Sequence, residues 1–325
     1  MLDEKILSAL RNRPANYISG EELSKDAGVS RSAIWKRVGK LREEGYEIEA
    51  SPHLGYRLIH LPDSLIPSEI RWKLKTRLLG KEIISYKCVD STNDVAYSLA
   101  EKGLKDGAAI FAEEQTKGKG RHGRRWVSPP RMGIYMSCVL RPDIAPNEIS
   151  RITLLAAVSV ARAIHEATGL TARIKWPNDI LINGRKVCGI LTEMKAEQDS
   201  VDFVVLGIGV NVNTKVECLP KGSSSLKEEL RKIGRDEQVS RIELAKRILE
   251  DLESNYNTLK MKGFDPIIDA WKGLSVMIGA RVKVIMQNRT FEGQAHDIDM
   301  DGSLLVRREH GLLEKVSSGD IVIAR

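Results

Sequence analysis

Ile6, Leu7 and Leu10 stand at helical spacing near the start of the chain, and Leu23 and Ala27 repeat that spacing after a polar break. Ser19 or Gly20 opens this second helix and Gly28 ends it. Ser30 caps a third helix whose inward stripe is Ile34, Val38 and Leu41, and which closes before Gly45. Alternation of period two then runs through YEIEA (46–50) and YRLIH (56–60), two strands about a turn containing Pro52 and Gly55. Two short helices joined through a glycine turn and followed by a hairpin predict a winged helix-turn-helix over residues 1–62. Residues 61–72, with Pro62, Asp63, Ser64 and Pro67, read as a linker.

From about residue 82 strands and helices mix. EIISYKCV (82–89) and AAIFAEEQ (108–115) read as strands flanking a helix from about Asn93 to Lys102. A long helix over 149–169 ends at Gly169, and strands follow at 172–184, 185–196 and 202–213. Helices are predicted around 225–233 and 240–262. After Gly273 five short strands (281–286, 290–298, 303–308, 312–316 and 320–324), with turns at Asn288, Asp301-Gly302 and His310-Gly311, point to a small SH3-like β-barrel. The fold class is α+β: winged helix-turn-helix, a central mixed-sheet domain over 63–272, and the C-terminal barrel over 273–325.

A length of 325 residues fits two or three domains, and 42% apolar with 29% charged residues excludes disordered, collagen-like and coiled-coil chains. No run is long and apolar enough to span a membrane, and MLDEKILSALRNR puts charges where a secretory signal needs apolar residues. A cytoplasmic protein with no membrane association is expected. Cys88, Cys138, Cys188 and Cys218 are scattered, as are the six histidines, so neither a disulfide framework nor a resident metal site is predicted. DIDMDG (297–302) imitates the start of a calcium loop, but Arg308 stands at its twelfth position, so it reads as a turn.

The net charge of +7 favours an acidic partner, and two local clusters give that excess meaning. Arg31 to Arg42 holds five basic residues and no acid, although residues 1–60 as a whole carry 10 basic and 9 acidic side chains. Ser30, Arg31, Ser32, Lys36, Arg37 and Lys40 form a face suited to a DNA major groove. The second cluster is GKGRHGRRW (118–126). It contains G-x-G-x-x-G, but Arg124, Arg125, Trp126, Val127, Ser128, Pro129 and Pro130 do not open the helix a dinucleotide turn requires. Gly118 and Gly123 have Walker spacing, yet Arg124-Arg125 follow where that loop needs Lys-Ser/Thr. What remains is a flexible glycine loop with Lys117, Lys119, Arg121, Arg124 and Arg125, able to close around phosphate or carboxylate. Such a run of like charges should repel and order only on binding.

DSTN (90–93) sits at a strand-to-helix turn, where it either binds a small polar ligand or simply caps the helix. KWPND (175–179) lies at a strand end, Lys186 on the next strand reads by itself as solvent-facing, and GIGVNVN (207–213) has glycines that admit close backbone approach.

With Gln115 and the Gly-Arg-Lys-x-x-Gly-Ile-Leu of 184–191, these motifs in this order resemble the biotin–protein ligase family. The full layout resembles its bifunctional members, which double as biotin-operon repressors. The resemblance implies a catalytic domain of the biotin/lipoyl-ligase type. In it the biotin carboxylate attacks the α-phosphate of ATP, with Mg²⁺ arriving on the nucleotide, and a lysine of a biotin carboxyl carrier domain then displaces AMP. By the same resemblance Ser91, Thr92, Asn93, Gln115, Lys119, Gly120, Arg121 and Lys186 hold biotin. Gly118, Lys119, Arg121, Arg124, Asn178, Asp179 and Asn211 hold ATP and the adenylate, and Lys186, Arg121 and Asp179 are catalytic, with Asp179 either carrying Mg²⁺ or orienting Lys186. A homodimer promoted by biotinyl-5′-AMP, bound to operator DNA, is implied as well. The family usually has Arg where Lys119 stands, so the bidentate grip on the anion is weaker here. The sequence also admits two other readings: a winged-helix biotin sensor without ligase activity, and a lipoate–protein ligase.

Overall fold

The computed structural model describes residues 2–286 and 288–323; Ala324, the end of the expected fifth C-terminal strand, lies outside them. The chain forms two compact units, Met1–Ser64 and Leu65–Arg325. In the first, α1 (Leu2–Asn12), α2 (Gly20–Ala27) and α3 (Arg31–Glu43) precede the hairpin of β1 (Glu47–Ser51) and β2 (Gly55–His60). Ser19 accepts from Glu22 N to start α2, Gly28 ends it in the left-handed region (φ 71°), and Ser30 accepts from Ala33 N to start α3. Ile6, Leu7, Leu10, Leu23, Ile34, Val38, Leu41, Tyr46 and Ile48 are buried together as this unit's core. The wing starts at a glycine for a steric reason: Gly55 has φ 109°, and a Cβ there would lie 2.0 Å from Ile18 O.

Only the stretch up to Ser64 of the expected linker lies outside the second unit. Leu65 is buried and donates its N–H to Glu113, and α4 (Pro67–Arg71) packs Ile70 into the core. The second unit's main sheet comprises β3 (Ile83–Tyr86), β4 (Ala109–Ala112), β5 (Gly133–Leu140), β6 (Arg173–Lys175), β7 (Asp179–Ile182), β8 (Arg185–Glu197) and β9 (Ser200–Asn211). Its spatial order is β3-β4-β5-β9-β8-β7-β6, antiparallel except for the β3–β4 pair. β5 was not apparent from the sequence: all eight residues are buried, so its apolar run shows no alternation.

Helix α5 (Thr92–Glu101) covers one sheet face, packing Ala96 and Ala100 on Ile110, Val139, Phe203 and Val205. The other face carries α6 (Ile149–Thr168), ended by Gly169, with α7 (Leu226–Lys232), α8 (Arg241–Lys262) and α9 (Asp265–Leu274). α9 was also not anticipated; Pro266 at its first turn and Ile267, Ile268 and Trp271 on its buried side explain it. Five antiparallel strands complete the unit: β10 (Arg281–Ile285), β11 (Thr290–Ile298), β12 (Leu304–Arg307), β13 (Leu313–Val316) and β14 (Asp320–Ile323), in the order β13-β12-β11-β10-β14. Val282, Val284, Ala295, Leu304 and Val306 join the same apolar core as α6. The calcium-loop imitation is a turn whose Asp299 and Asp301 both hold Lys315, at 2.5 and 2.8 Å.

Arg241 ties the face together. Fully buried at the start of α8, it donates to Glu113 Oε2 at 2.7 Å and to Gly133 O at 3.2 Å, while Glu113 Oε1 holds Leu65 N at 2.6 Å. Removing one partner of such a pair costs about 3–5 kcal/mol, because the other charge is left buried.

Candidate active site and DNA-binding face

The face of β9 that packs under α5 through Phe203 and Val205 continues as Gly207 and Gly209. With the side chains gone, the packed layer opens into a cavity of about 560 Å³. Register places Gly209 opposite Gly189 of β8 and Gly207 opposite Ser137 of β5. Trp126 lies against the first pair: a Cβ on Gly209 would sit 2.5 Å from its indole and one on Gly189 3.0 Å from it. Asn93 occupies the space over Gly207, where a Cβ would lie 2.1 Å from its Oδ1.

One end of the cavity is a largely buried hydrogen-bond network of amides and hydroxyls at the start of α5, backed by the Glu193 carboxylate. Gln115 Oε1 accepts from Thr92 N at 2.8 Å and Thr92 Oγ1 at 3.1 Å, and its Nε2 donates to Ser128 Oγ at 2.9 Å. Ser137 Oγ meets Thr92 Oγ1 at 2.8 Å and Asn93 Oδ1 at 2.6 Å, and Asn93 Nδ2 donates to Glu193 at 2.6 Å. Ser91 is the N-cap residue, but its hydroxyl makes no capping bond. It lines the cavity instead. The simple-cap reading of DSTN therefore fails at Ser91.

The other end is cationic. Lys119, Arg121, Arg124, Arg125, Lys175, Lys186 and Lys221 line the cavity, against two carboxylates, Asp179 and Asp320. The glycine loop is a tight hairpin rather than a loose strap: Gly120 N donates to Arg124 O at 2.7 Å and Trp126 N to Gly118 O at 2.8 Å. The cations of this hairpin are met by counter-groups on other elements. Asp90 takes Lys117 at 2.9 Å, Asp94 and Glu193 flank Lys119, and Asp320 of β14 holds Arg124. Arg125 donates to Thr116 O at 2.6 Å, and Arg121 reaches Asn178 Oδ1 at 3.4 Å and Gly319 O at 3.5 Å. Burial draws the Arg121 guanidinium below its ordinary pKa, opposed by Asp320 and Asp179. Burial raises the Asp320 carboxyl, yet its bond to Arg124 and the neighbouring cations outweigh that and hold it low.

Lys186 is not a solvent-facing strand lysine. Its Nζ stands 2.5 Å from Asp179 Oδ1 and 5.6 Å from the centre of the Trp126 ring. Asn178 Nδ2 is tied to Ile190 O at 2.7 Å and Asn211 Nδ2 to Ser224 O at 3.1 Å, so both amides are oriented at the wall. Trp176 is buried and donates from Nε1 to Gly302 O at 3.1 Å, which ties the KWPND turn to the C-terminal sheet. Gly118 stands just outside the cavity lining, at the base of the hairpin, where a Cβ would meet Trp126 O at 2.5 Å. Among the described residues no cluster of three or more His, Cys, Asp or Glu is placed to hold a metal. Magnesium bound mainly by phosphate and water needs only one or two protein carboxylates, and Asp179 offers one at the cationic end.

On α3 the basic face is smaller than expected. Arg37 is half-buried and forks onto Asp3 of α1, and Arg42 donates to Ile48 O at 2.6 and 2.8 Å, so both brace the unit. Ser30 is spent on its cap and on Ser32 Oγ at 2.9 Å. Arg31, Ser32, Lys36 and Lys40 remain exposed, next to an exposed Trp35.

Residues 3–57 match an HTH domain family and residues 277–323 the Biotin protein ligase C terminal domain. Residues 85–211, which carry most of the cavity wall, match the Biotin/lipoate A/B protein ligase family. The Bifunctional ligase/repressor BirA of Bacillus spizizenii is 40% identical over 320 residues, 98% of each chain. This chain belongs to the bifunctional ligase/repressor family. The Escherichia coli relative of the same description is 29% identical over 98% of this chain and 95% of its own. A solved biotin protein ligase from Aquifex aeolicus in complex with biotin and ATP aligns with a TM-score of 0.63 at 28% identity, covering 75% of this chain and 99% of its own.

Five side chains of this ligase/repressor site escaped sequence reasoning. Ser137, the one serine or threonine in a buried strand of otherwise apolar and aromatic residues, was detectable, since a buried hydroxyl demands a partner. Trp126, Asp94, Glu193 and Asp320 come to the site only through tertiary packing. Gly207→Ala is expected to push Asn93 from Ser137 and Glu193 and to cost about 1–3 kcal/mol of unfolding free energy. A denaturant titration checks this; an unchanged midpoint contradicts the packing described.

Proposed function

We propose that this chain is an ATP-dependent biotin–protein ligase and a biotin-responsive repressor. On this reading it joins biotin to ATP as biotinyl-5′-AMP, then passes the biotinyl group to a lysine of a biotin carboxyl carrier domain. The observation carrying it is the polarity gradient of one cavity: neutral amides and hydroxyls at one end and seven cations at the other, Lys186 among them and paired with Asp179. A ureido ring is uncharged and rich in donors and acceptors, which suits Ser91, Thr92, Asn93 and Gln115. Its carboxylate tail then extends toward Lys119, Gly120, Arg121 and Lys186, and the nucleotide toward Arg124, Asn178, Asp179 and Asn211.

The reaction brings two anions together and expels a third. A carboxylate oxygen bonds to the α-phosphorus as the bond to the β-phosphate oxygen breaks and pyrophosphate leaves. In the second half the acceptor amine attacks the acyl carbon, loses a proton, and AMP departs with the anhydride oxygen. Neither half needs a protein nucleophile; both need fixed cations and a site that positions its reactants. Asp179 fixes the head of Lys186 beside the reacting carboxylate, and Asp94 with Glu193 fixes Lys119. Magnesium enters as part of the nucleotide substrate and adds positive charge at the phosphates.

The regulatory half of the proposal is a homodimer, promoted by biotinyl-5′-AMP, whose two winged helices read a two-fold operator in the cytoplasm. No helix among the described residues is long and apolar enough to cross a membrane.

Labelled biotin or lipoate, MgATP and a carrier domain distinguish the possible activities. Transfer from biotin is expected, and transfer from lipoate alone contradicts the proposal. Lys186→Ala should slow adenylate formation about 100-fold or more and weaken biotin binding by much less than that. Sedimentation with and without biotinyl-5′-AMP tests the dimer: a larger particle is expected with it, and equal masses remove the regulatory half.

A further inference from the structure

Two features of α3 lack any purpose inside the protein. Trp35 leaves 71% of its surface in solvent, the most exposed aromatic side chain among the described residues. Gly39, one turn further on, sits in mid-helix, where glycine weakens a helix relative to alanine, yet a Cβ there would meet nothing within 4 Å. No internal packing requires either choice. Both lie off the buried stripe of Ile34, Val38 and Leu41, beside exposed Ser32, Lys36 and Lys40.

Resting on the DNA-binding reading above, we propose that Trp35 determines sequence specificity by covering thymine methyl groups at the floor of the major groove. Gly39 is then the point where α3 and the duplex come closest. The charges commit the surface to DNA: Arg31, Lys36 and Lys40 share it, and no acid occurs between Arg31 and Arg42. A recognition helix reads base edges from its first turns, and the one apolar group that distinguishes bases in the major groove is the thymine C5-methyl. The lysines and Arg31 contact phosphate and carry affinity without sequence information. Absence of a side chain at Gly39 lets the helix settle deep enough for the indole to reach that floor.

The test uses the full chain with biotin and MgATP. A preferred duplex is first selected from a randomised library, then remade with uracil in place of thymine at each position. Wild type should lose about fourfold in affinity for each contacted methyl removed. Trp35→Ala should bind thymine and uracil duplexes alike and lose at least tenfold on the selected site. Its salt-dependent binding to unrelated duplex and its ligase activity should stay unchanged, while Trp35→Phe keeps part of the preference. Gly39→Ala gives opposite signs, a higher melting temperature of the first unit and weaker binding to the selected site. If Trp35→Ala keeps the wild-type preference and thymine-to-uracil ratio, the inference is wrong and the DNA reading stands. If wild type binds no duplex, both fall.

Discussion

Like charges gathered on one wall repel, and the second unit is organised around the groups that hold them there. Asp94 comes from α5, Glu193 from β8, Asp179 from β7, and Asp320 with the Gly319 carbonyl from the C-terminal sheet. None of these elements adjoins the basic loop in sequence, so the loop's hairpin is closed by its own backbone while its charges are matched only through tertiary packing. The C-terminal sheet is therefore part of the site rather than an appendage. Its strands share the core of the catalytic sheet, Gly302 O anchors Trp176, and Ile285, Ile321 and Val322 close part of the cavity wall. The arrangement also leaves the cations usable. They are paired at or near solvent, where an incoming phosphate or carboxylate can compete with an aspartate, because such pairs are individually weak.

The opposite end of the cavity follows different physics. There the side chains facing the cavity are neutral and mostly buried, and each must be satisfied within the protein or by ligand. Ser137, Thr92, Asn93 and Gln115 satisfy one another in a connected set, and so hold fixed orientations. The glycines of β9 and β8 make the space, since any side chain at Gly207 or Gly209 would collide with Asn93 or Trp126. A rigid neutral end recognises shape and donor pattern, whereas a cationic end supplies charge to the chemistry.

Much of this was legible before the structure. Helical spacing and glycine stops located α1 to α3, α6 and α8, and turn residues located the C-terminal strands. The glycines of 207–213 marked a place of close approach, which β9 realises. What the sequence hid was long-range. β5 has no alternation because both its faces are covered, and Asp320 shows its role only when β14 brings it to Arg124. Arg37 looked like one more groove-facing cation until its partner Asp3, in a different helix, was seen. Charge runs record composition, and only tertiary pairing says which members are free to act.

On the proposed function, this cavity activates the biotin carboxylate by itself, before any acceptor arrives. Isotope exchange between labelled pyrophosphate and ATP reports that step directly. Exchange that requires biotin, is unsupported by lipoate and proceeds without a carrier domain is the predicted result. No exchange under conditions where biotin and ATP are both shown to bind would contradict the account.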